Sequence, residues 1–241
     1  MARSRCNWAF LRAALLYGGV VRSDKKSMTA RTLYYAPGAC SLASHIVLEE
    51  IGAPYETIRL DLAKGDQRAP EYLAVNERGR VPALYEEGWV LTENAAILRH
   101  LARSHPEAGL LPEDLRGQAA ADEWMAWLST GHHIAYAHVR RPERYSADET
   151  AFPEIRAKGA DTFGDLCTMT EVRLSNGGWA LGERYSVVDA YLMVFWLWAR
   201  GPTIGFDMPS LFPAWTAHSR RMAERPAVRT VFAREGLTLP A

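Results

Sequence analysis

Thr32-Leu33-Tyr34-Tyr35-Ala36-Pro37-Gly38-Ala39-Cys40-Ser41-Leu42-Ala43-Ser44-His45 holds a strand, a turn and a helix entrance in one short stretch. Thr32 to Tyr35 is a β-branched and aromatic run that stops at Pro37-Gly38. From Ser41 the apolar residues Leu42, Ile46, Val47 and Ile51 recur near helical spacing, and Gly52 ends the run. Tyr55 to Leu60 alternates, which predicts a second strand with Ile58 and Leu60 on one face. Pro70 to Val75 predicts a short helix opened by proline. After the loop Asn76 to Arg80, Val81-Pro82-Ala83-Leu84-Tyr85 and Trp89-Val90-Leu91 flank Glu86-Glu87-Gly88 as a hairpin. Asn94 to Ala102 again has helical spacing, with Ile97, Leu98 and Leu101 apolar. The order β-α-β-α-β-β-α over 29–106 predicts a small α/β unit.

Strand signals vanish beyond Pro106, and a boundary is expected between Ser104 and Asp114. Leu111-Pro112-Glu113-Asp114 opens a long helical stretch, and Phe152 to Leu174 reads as a second, stopped at Ser175-Asn176-Gly177-Gly178. A third starts at Ser186-Val187-Val188-Asp189 and runs apolar to about Trp198. Pro209 to Arg225 and a short piece after Pro226 close an all-helical unit over 112–241. Ser186 and Asp189 have the spacing of a capping box, a folding device rather than a catalytic one. The tryptophans of the apolar stretches, Trp124, Trp127, Trp196 and Trp198, are expected in the core.

The 241 residues carry 28 basic and 28 acidic side chains. With no long basic run, a nucleic-acid-binding surface is not expected. Cys6, Cys40 and Cys167 lie far apart, with no CxxC and no Cys/His cluster; this points to a reducing compartment, and so to the cytoplasm, and to no structural metal. The apolar stretch Trp8 to Val21 is interrupted by Arg12 and is too short to span a bilayer, so no membrane association is expected. Residues 1–28 read as an extension outside the fold; a targeting peptide is the alternative.

Four segments, in order and spacing, resemble the glutathione transferases, and most of all the bacterial beta class. They are Leu33 to His45, Val81-Pro82-Ala83-Leu84, Leu91-Thr92-Glu93-Asn94, and Ser186-Val187-Val188-Asp189-Ala190-Tyr191. The resemblance runs from about Met28 to the C-terminus. It implies a thioredoxin-like N-terminal domain, an all-α C-terminal domain, a homodimer with its cleft between the domains, and reduced glutathione as co-substrate with no permanently bound cofactor. It also implies a cytoplasmic detoxification enzyme that joins glutathione sulfur to small apolar electrophiles. A non-catalytic module of the same fold, used for binding or regulation, is the alternative.

The residues carry this reading as follows. Cys40 stands at a helix entrance, where N–H groups and the helix dipole lower a thiol pKa from about 8.5 toward neutrality. A buried cysteine acting as a small hydrophobe is the other reading. The lack of a second cysteine three residues on disfavours dithiol exchange, while a mixed disulfide with glutathione stays open. Ser41 either donates to a thiolate or caps the helix, and Tyr35 either brings its phenol to the same sulfur or is a plain strand aromatic. Sequence alone makes the Val81-Pro82 bond trans. The resemblance makes it cis, leaving the Val81 N–H and C=O free for an extended tripeptide. Glu93 and Asn94 open a helix and either hold the glutathione α-amino end or act as caps. Lys64 and Gln67, in the loop before the second helix, reach the glycine carboxylate on one reading; a solvated surface lysine is the other reading of Lys64. The resemblance implies that His133 faces the cleft with Thr130 nearby, a structural histidine being the other reading, whereas Ile134 and Ala126 replace the lysine and asparagine usual in the family.

Overall fold

The computed structural model describes residues 31–240. The expected extension 1–28, with Cys6, lies outside the described residues. Strand β1 (Arg31–Tyr35) lies at the heart of a four-stranded sheet ordered β2-β1-β3-β4, with β2 at Glu56–Arg59, β3 at Ala83–Glu86 and β4 at Trp89–Thr92. β2 runs parallel to β1, as its helical crossover requires, while β3 and β4 are antiparallel. Glu86 pairs with Trp89, so the hairpin loop is only Glu87-Gly88, both at positive φ as tight hairpins prefer. The expected shared face of Ile58 and Leu60 is not found. The β2 edge is exposed along its length with Ile58 41% accessible, and Leu60 is buried just after the strand ends.

Alternation on β1 splits the small domain's core. Leu33 and Tyr35 face helix α1 (Ser41–Ile51), and Tyr34 lies against Tyr72 of α2 (Pro70–Leu73) with ring centroids 5.5 Å apart. Helix α1 is buried from Ser41 to Leu48, because the sheet covers one side and helices of the second unit cover the other. Helix α3 (Asn94–Ser104) completes the domain.

Helices α4 (Leu115–Trp127) and α5 (His133–Arg140) are joined through a π-helical turn over Leu128–His132, and α6 (Phe152–Leu174) packs along α5. Their close approach sits at Gly159, where a Cβ would fall 2.6 Å from that of His138. Helix α7 (Val187–Arg200) is apolar on nearly every face, and this all-round pattern makes it the central helix of the unit. The expected capping box of Ser186 and Asp189 is present, with Asp189 accepting from the Ser186 N–H at 2.8 Å and Ser186 Oγ accepting from the Val188 N–H as well. Short α8 (Met208–Leu211), then α9 (Pro213–Glu224) and α10 (Pro226–Glu235), bring the chain back onto α1. Among the described residues, no helix is long and apolar enough to cross a membrane.

Candidate active site

Pro37-Gly38 turns the chain from β1 into α1, with Gly38 at φ 66°. The helical unit holds both polar backbone atoms of this glycine. The Gly38 N–H donates to Glu235 Oε2 at 2.9 Å, and its carbonyl accepts from Trp198 Nε1 at 2.8 Å. The other Glu235 oxygen bonds His45 Nδ1 at 2.7 Å, and neither side chain is more than 1% exposed. After Gly236 the tail passes over the same loop. Leu237 would stand 3.4 Å from a Cβ at Gly38, and Arg200 donates to the Thr238 carbonyl at 2.5 Å.

Within the loop the Ser41 hydroxyl donates to the Ala36 carbonyl and accepts from the Ala36 N–H, both at 3.2 Å. It closes the turn. Tyr35 is packed in the core with its ring 5.1 Å from that of His45, where the strand-aromatic reading puts it. Asn94 is spent on structure. Its amide donates to the Cys40 carbonyl at 3.0 Å and its oxygen accepts from Ser44, bracing α3 against α1.

Cys40 is only 7% exposed, and its thiol donates to the Val81 carbonyl at 3.3 Å. Burial pushes the thiol up to about 12; Glu93 adds to the rise, while its own and the Ser41 backbone N–H and Arg80 oppose it. The expected fall toward neutrality is therefore reversed, because desolvation of a buried sulfur outweighs the helix entrance. The Val81-Pro82 bond is cis, but the Val81 carbonyl is not left free, since the Cys40 thiol already occupies it. Pro82 is buried behind it. Glu93 sits at φ 70° with an exposed carboxylate paired to Arg78, and its field reaches both Cys40 and Tyr191.

On the helical side, Trp198 reaches the Cys40 loop through Gly38. The π-helical turn buries His132, whose Nε2 meets Thr170 Oγ1 at 3.0 Å, and sets His133 toward Trp198 at 5.2 Å. Tyr136 stacks on Trp198 at 4.3 Å. Burial lowers His133 to about 4, helped by Arg144 and Arg80, so its imidazole is neutral at pH 7. Tyr191 is buried, with its hydroxyl 3.3 Å from Ser129 Oγ. Thr130 is exposed, and its hydroxyl donates to the Ala126 carbonyl at 2.9 Å. Lys64 is exposed and 3.5 Å from Asp61, on a loop folded by the Asp61 N–H to Asp66 bond. Gln67 Oε1 is buried without a partner.

Cys40 thus meets Val81 beside buried Pro82, and Glu93 acts on Cys40, while the Ser41 hydroxyl is bonded within the loop and the Asn94 amide between α1 and α3. Sequence reading missed Trp198, Glu235 and Tyr191. Tyr191 lies inside a quoted motif, and Trp198 was read as core, whereas its indole N–H is a loop anchor. No local signal points to Glu235, which meets its partners 190 or more residues away along the chain. Among the described residues no group of His, Cys, Asp and Glu could hold a metal ion.

A thioredoxin-like unit whose first helix starts beside a cysteine, closed by a helical unit with an aromatic wall, defines a two-domain thiol-handling enzyme. Family models for the glutathione S-transferase N-terminal and C-terminal domains match residues 30–103 and 145–226. Glutathione S-transferase GstA of Escherichia coli O157:H7 is 34% identical over 208 residues, covering 85% of this chain and 98% of that protein. The crystal structure of a glutathione transferase homologue from Sulfitobacter, with bound glutathione, superposes with a TM-score of 0.82 at 35% identity, over 88% of this chain and all of that one. A bacterial beta class enzyme from Sphingomonas chungbukensis gives a TM-score of 0.74 at 32% identity, over 86% of this chain and all of that one. The chain belongs to the glutathione S-transferase family.

Proposed function

We propose that this protein joins reduced glutathione to small electrophiles held against the aromatic wall of the cleft. One observation carries the reading: the Cys40 thiol, 3.3 Å from the Val81 carbonyl, marks a strand end that an extended peptide can pair with. The Sulfitobacter relative was crystallised with glutathione bound. Glutathione lies along Val81 and Pro82 with its α-amino end toward Glu93 and its sulfur at Cys40. Thr130 and Lys64 stand at the margins of the site. The backbone of glutathione takes over the Val81 carbonyl, and the Cys40 S–H turns to donate to the glutathione sulfur. A thiol held near 12 keeps its proton, so Cys40 acts as a hydrogen-bond donor that stabilises the glutathione thiolate. That thiolate attacks the electrophilic carbon; a C–S bond forms, the leaving group departs with the electron pair of the broken bond, and the thiol proton goes to solvent. Tyr35 and Ser41 act through the scaffold of the loop.

The domains are taken as 29–106 for glutathione and 112–241 for the second substrate, in a cytoplasmic homodimer serving detoxification. Sedimentation equilibrium tests the dimer. Retention on immobilised glutathione together with turnover of 1-chloro-2,4-dinitrobenzene tests the activity. Retention with no turnover of aryl halides, epoxides or disulfides supports a binding module instead. A mixed disulfide at Cys40 is the second reading, since the relative at 28% identity over 81% of this chain is the disulfide-bond oxidoreductase YfcG of Escherichia coli. Loss of disulfide reduction with conjugation intact in Cys40→Ala would assign Cys40 to redox chemistry.

A further inference from the structure

An extended peptide can pair with Val81 only if the peptide unit joining Arg80 to Val81 keeps one orientation. That unit is planar and trans, so its carbonyl and its N–H point in opposite directions, and turning one turns the other. The carbonyl end is gripped twice. Tyr72 Oη, on α2, donates to the Arg80 carbonyl at 2.6 Å, and Asn76 Nδ2 donates to it at 2.7 Å. Both donors belong to buried residues, and together they occupy the two lone pairs that a carbonyl oxygen offers. The Val81 N–H, at the other end of the unit, donates to no acceptor among the described residues. Asn76 is itself held through its other three polar atoms. Its N–H donates to the Tyr72 carbonyl at 2.8 Å, its carbonyl accepts from the Gly79 N–H at 2.9 Å, and its Oδ1 accepts from the Arg78 N–H at 3.1 Å. The last bond fixes the backbone of the residue whose guanidinium pairs with Glu93. Tyr72 is steadied by the ring of Tyr34, 5.5 Å away, and at Gly79 a Cβ would fall 2.7 Å from the Gln67 carbonyl, so the loop is seated closely on its neighbour.

We propose that Tyr72 and Asn76 are positioning residues for glutathione. By holding the Arg80 carbonyl toward α2 they turn the Val81 N–H away from α2, where a backbone carbonyl of the extended tripeptide accepts it. Neither side chain touches the reacting sulfur. They act through the Arg80-Val81 peptide plane, and so set how well glutathione binds rather than how fast bound glutathione reacts. Freed from the two donors, the plane swings among orientations, and binding then bears the entropy of fixing it again. This deepens the proposed transferase site and rests on that reading.

The experiment measures kcat and both KM values with glutathione and 1-chloro-2,4-dinitrobenzene in the wild-type protein, Tyr72→Phe and Asn76→Asp, with Ser186→Ala as a destabilised control outside the site. KM does not depend on how much of the sample is folded, so a merely structural role would leave it unmoved. Tyr72→Phe keeps the ring on Tyr34 and removes one donor, and is expected to raise the KM for glutathione about fivefold. Asn76→Asp keeps Oδ1 for the Arg78 N–H but sets an oxygen against the Arg80 carbonyl, and is expected to raise it about tenfold. The kcat at saturating glutathione and the KM for the electrophile stay at the wild-type values, and Ser186→Ala changes neither KM. The same ratios are read in the Kd for glutathione by calorimetry, which needs no turnover. A glutathione KM or Kd unchanged in either site variant overturns the proposal, and so does a loss confined to kcat. A wild-type protein that neither binds glutathione nor turns over the electrophile removes the transferase reading and this one with it, an outcome visible before any variant is compared.

Discussion

Cys40 offers the sharpest test of the site, because its environment sets a large and measurable number. A thiol of pKa 9.0 is about 1% ionised at pH 7, whereas one pushed up to about 12 is about 0.001% ionised, a thousandfold less. Iodoacetamide reacts with the thiolate. Carbamidomethylation of the Cys40 peptide, followed by mass spectrometry, is therefore expected to be about a thousandfold slower than that of an ordinary exposed thiol at pH 7. It should climb tenfold per pH unit through pH 10 without levelling. Reading the peptide itself separates Cys40 from Cys6 and Cys167. The same shift has a stability consequence with a definite sign. The folded thiol holds its proton where the unfolded thiol has lost it, so its contribution is complete below about pH 9 and is lost as pH rises toward 12. Each pH unit in that window costs about 1.4 kcal/mol, and Cys40→Ala should flatten that part of the urea-midpoint curve. A labelling curve that levels with a midpoint near pH 7 would refute the dominance of burial and restore the thiolate expected from the helix entrance.

Three further outcomes are expected. Trp198→Phe keeps the aromatic wall but removes the N–H donated to Gly38, and should cost about 1–2 kcal/mol in urea unfolding and raise the KM for glutathione; an unchanged pair of values would show the anchor to be idle. His132 is buried and lowered to about 4, so the unfolded chain binds a proton that the folded chain refuses. Stability should fall as pH drops from about 6.5 to 4, by about 1.4 kcal/mol per unit, and His132→Phe should remove that part of the acid slope, read by thermal unfolding against pH. Ser186→Ala should cost about 0.5–2 kcal/mol by denaturant unfolding with kcat/KM unchanged, since the cap lies in the fold and not in the chemistry.

Local periodicity carried most of the architecture. The apolar spacing of Ser41 to Ile51, the turn at Glu87-Gly88 and the Ser186–Asp189 box each depend on neighbours a few residues apart, and each is found. Position within the site was less readable. Cys40, Ser41 and Asn94 share a helix-terminus signature that fits either chemistry or scaffolding, and only the tertiary partners decide. Ala36 closes on Ser41, Ser44 takes the Asn94 oxygen, and burial outweighs the dipole at Cys40.

The double grip on Gly38 reaches beyond this chain's stability. Sulfur chemistry on the front unit hangs from two side chains, Trp198 and Glu235, that belong to the helical unit. Helices free to drift toward new electrophiles thus carry the suspension points of the reactive turn with them. A hybrid that joins this front unit to foreign helices would inherit every named sulfur neighbour and still need those two tethers rebuilt before its reactivity returned.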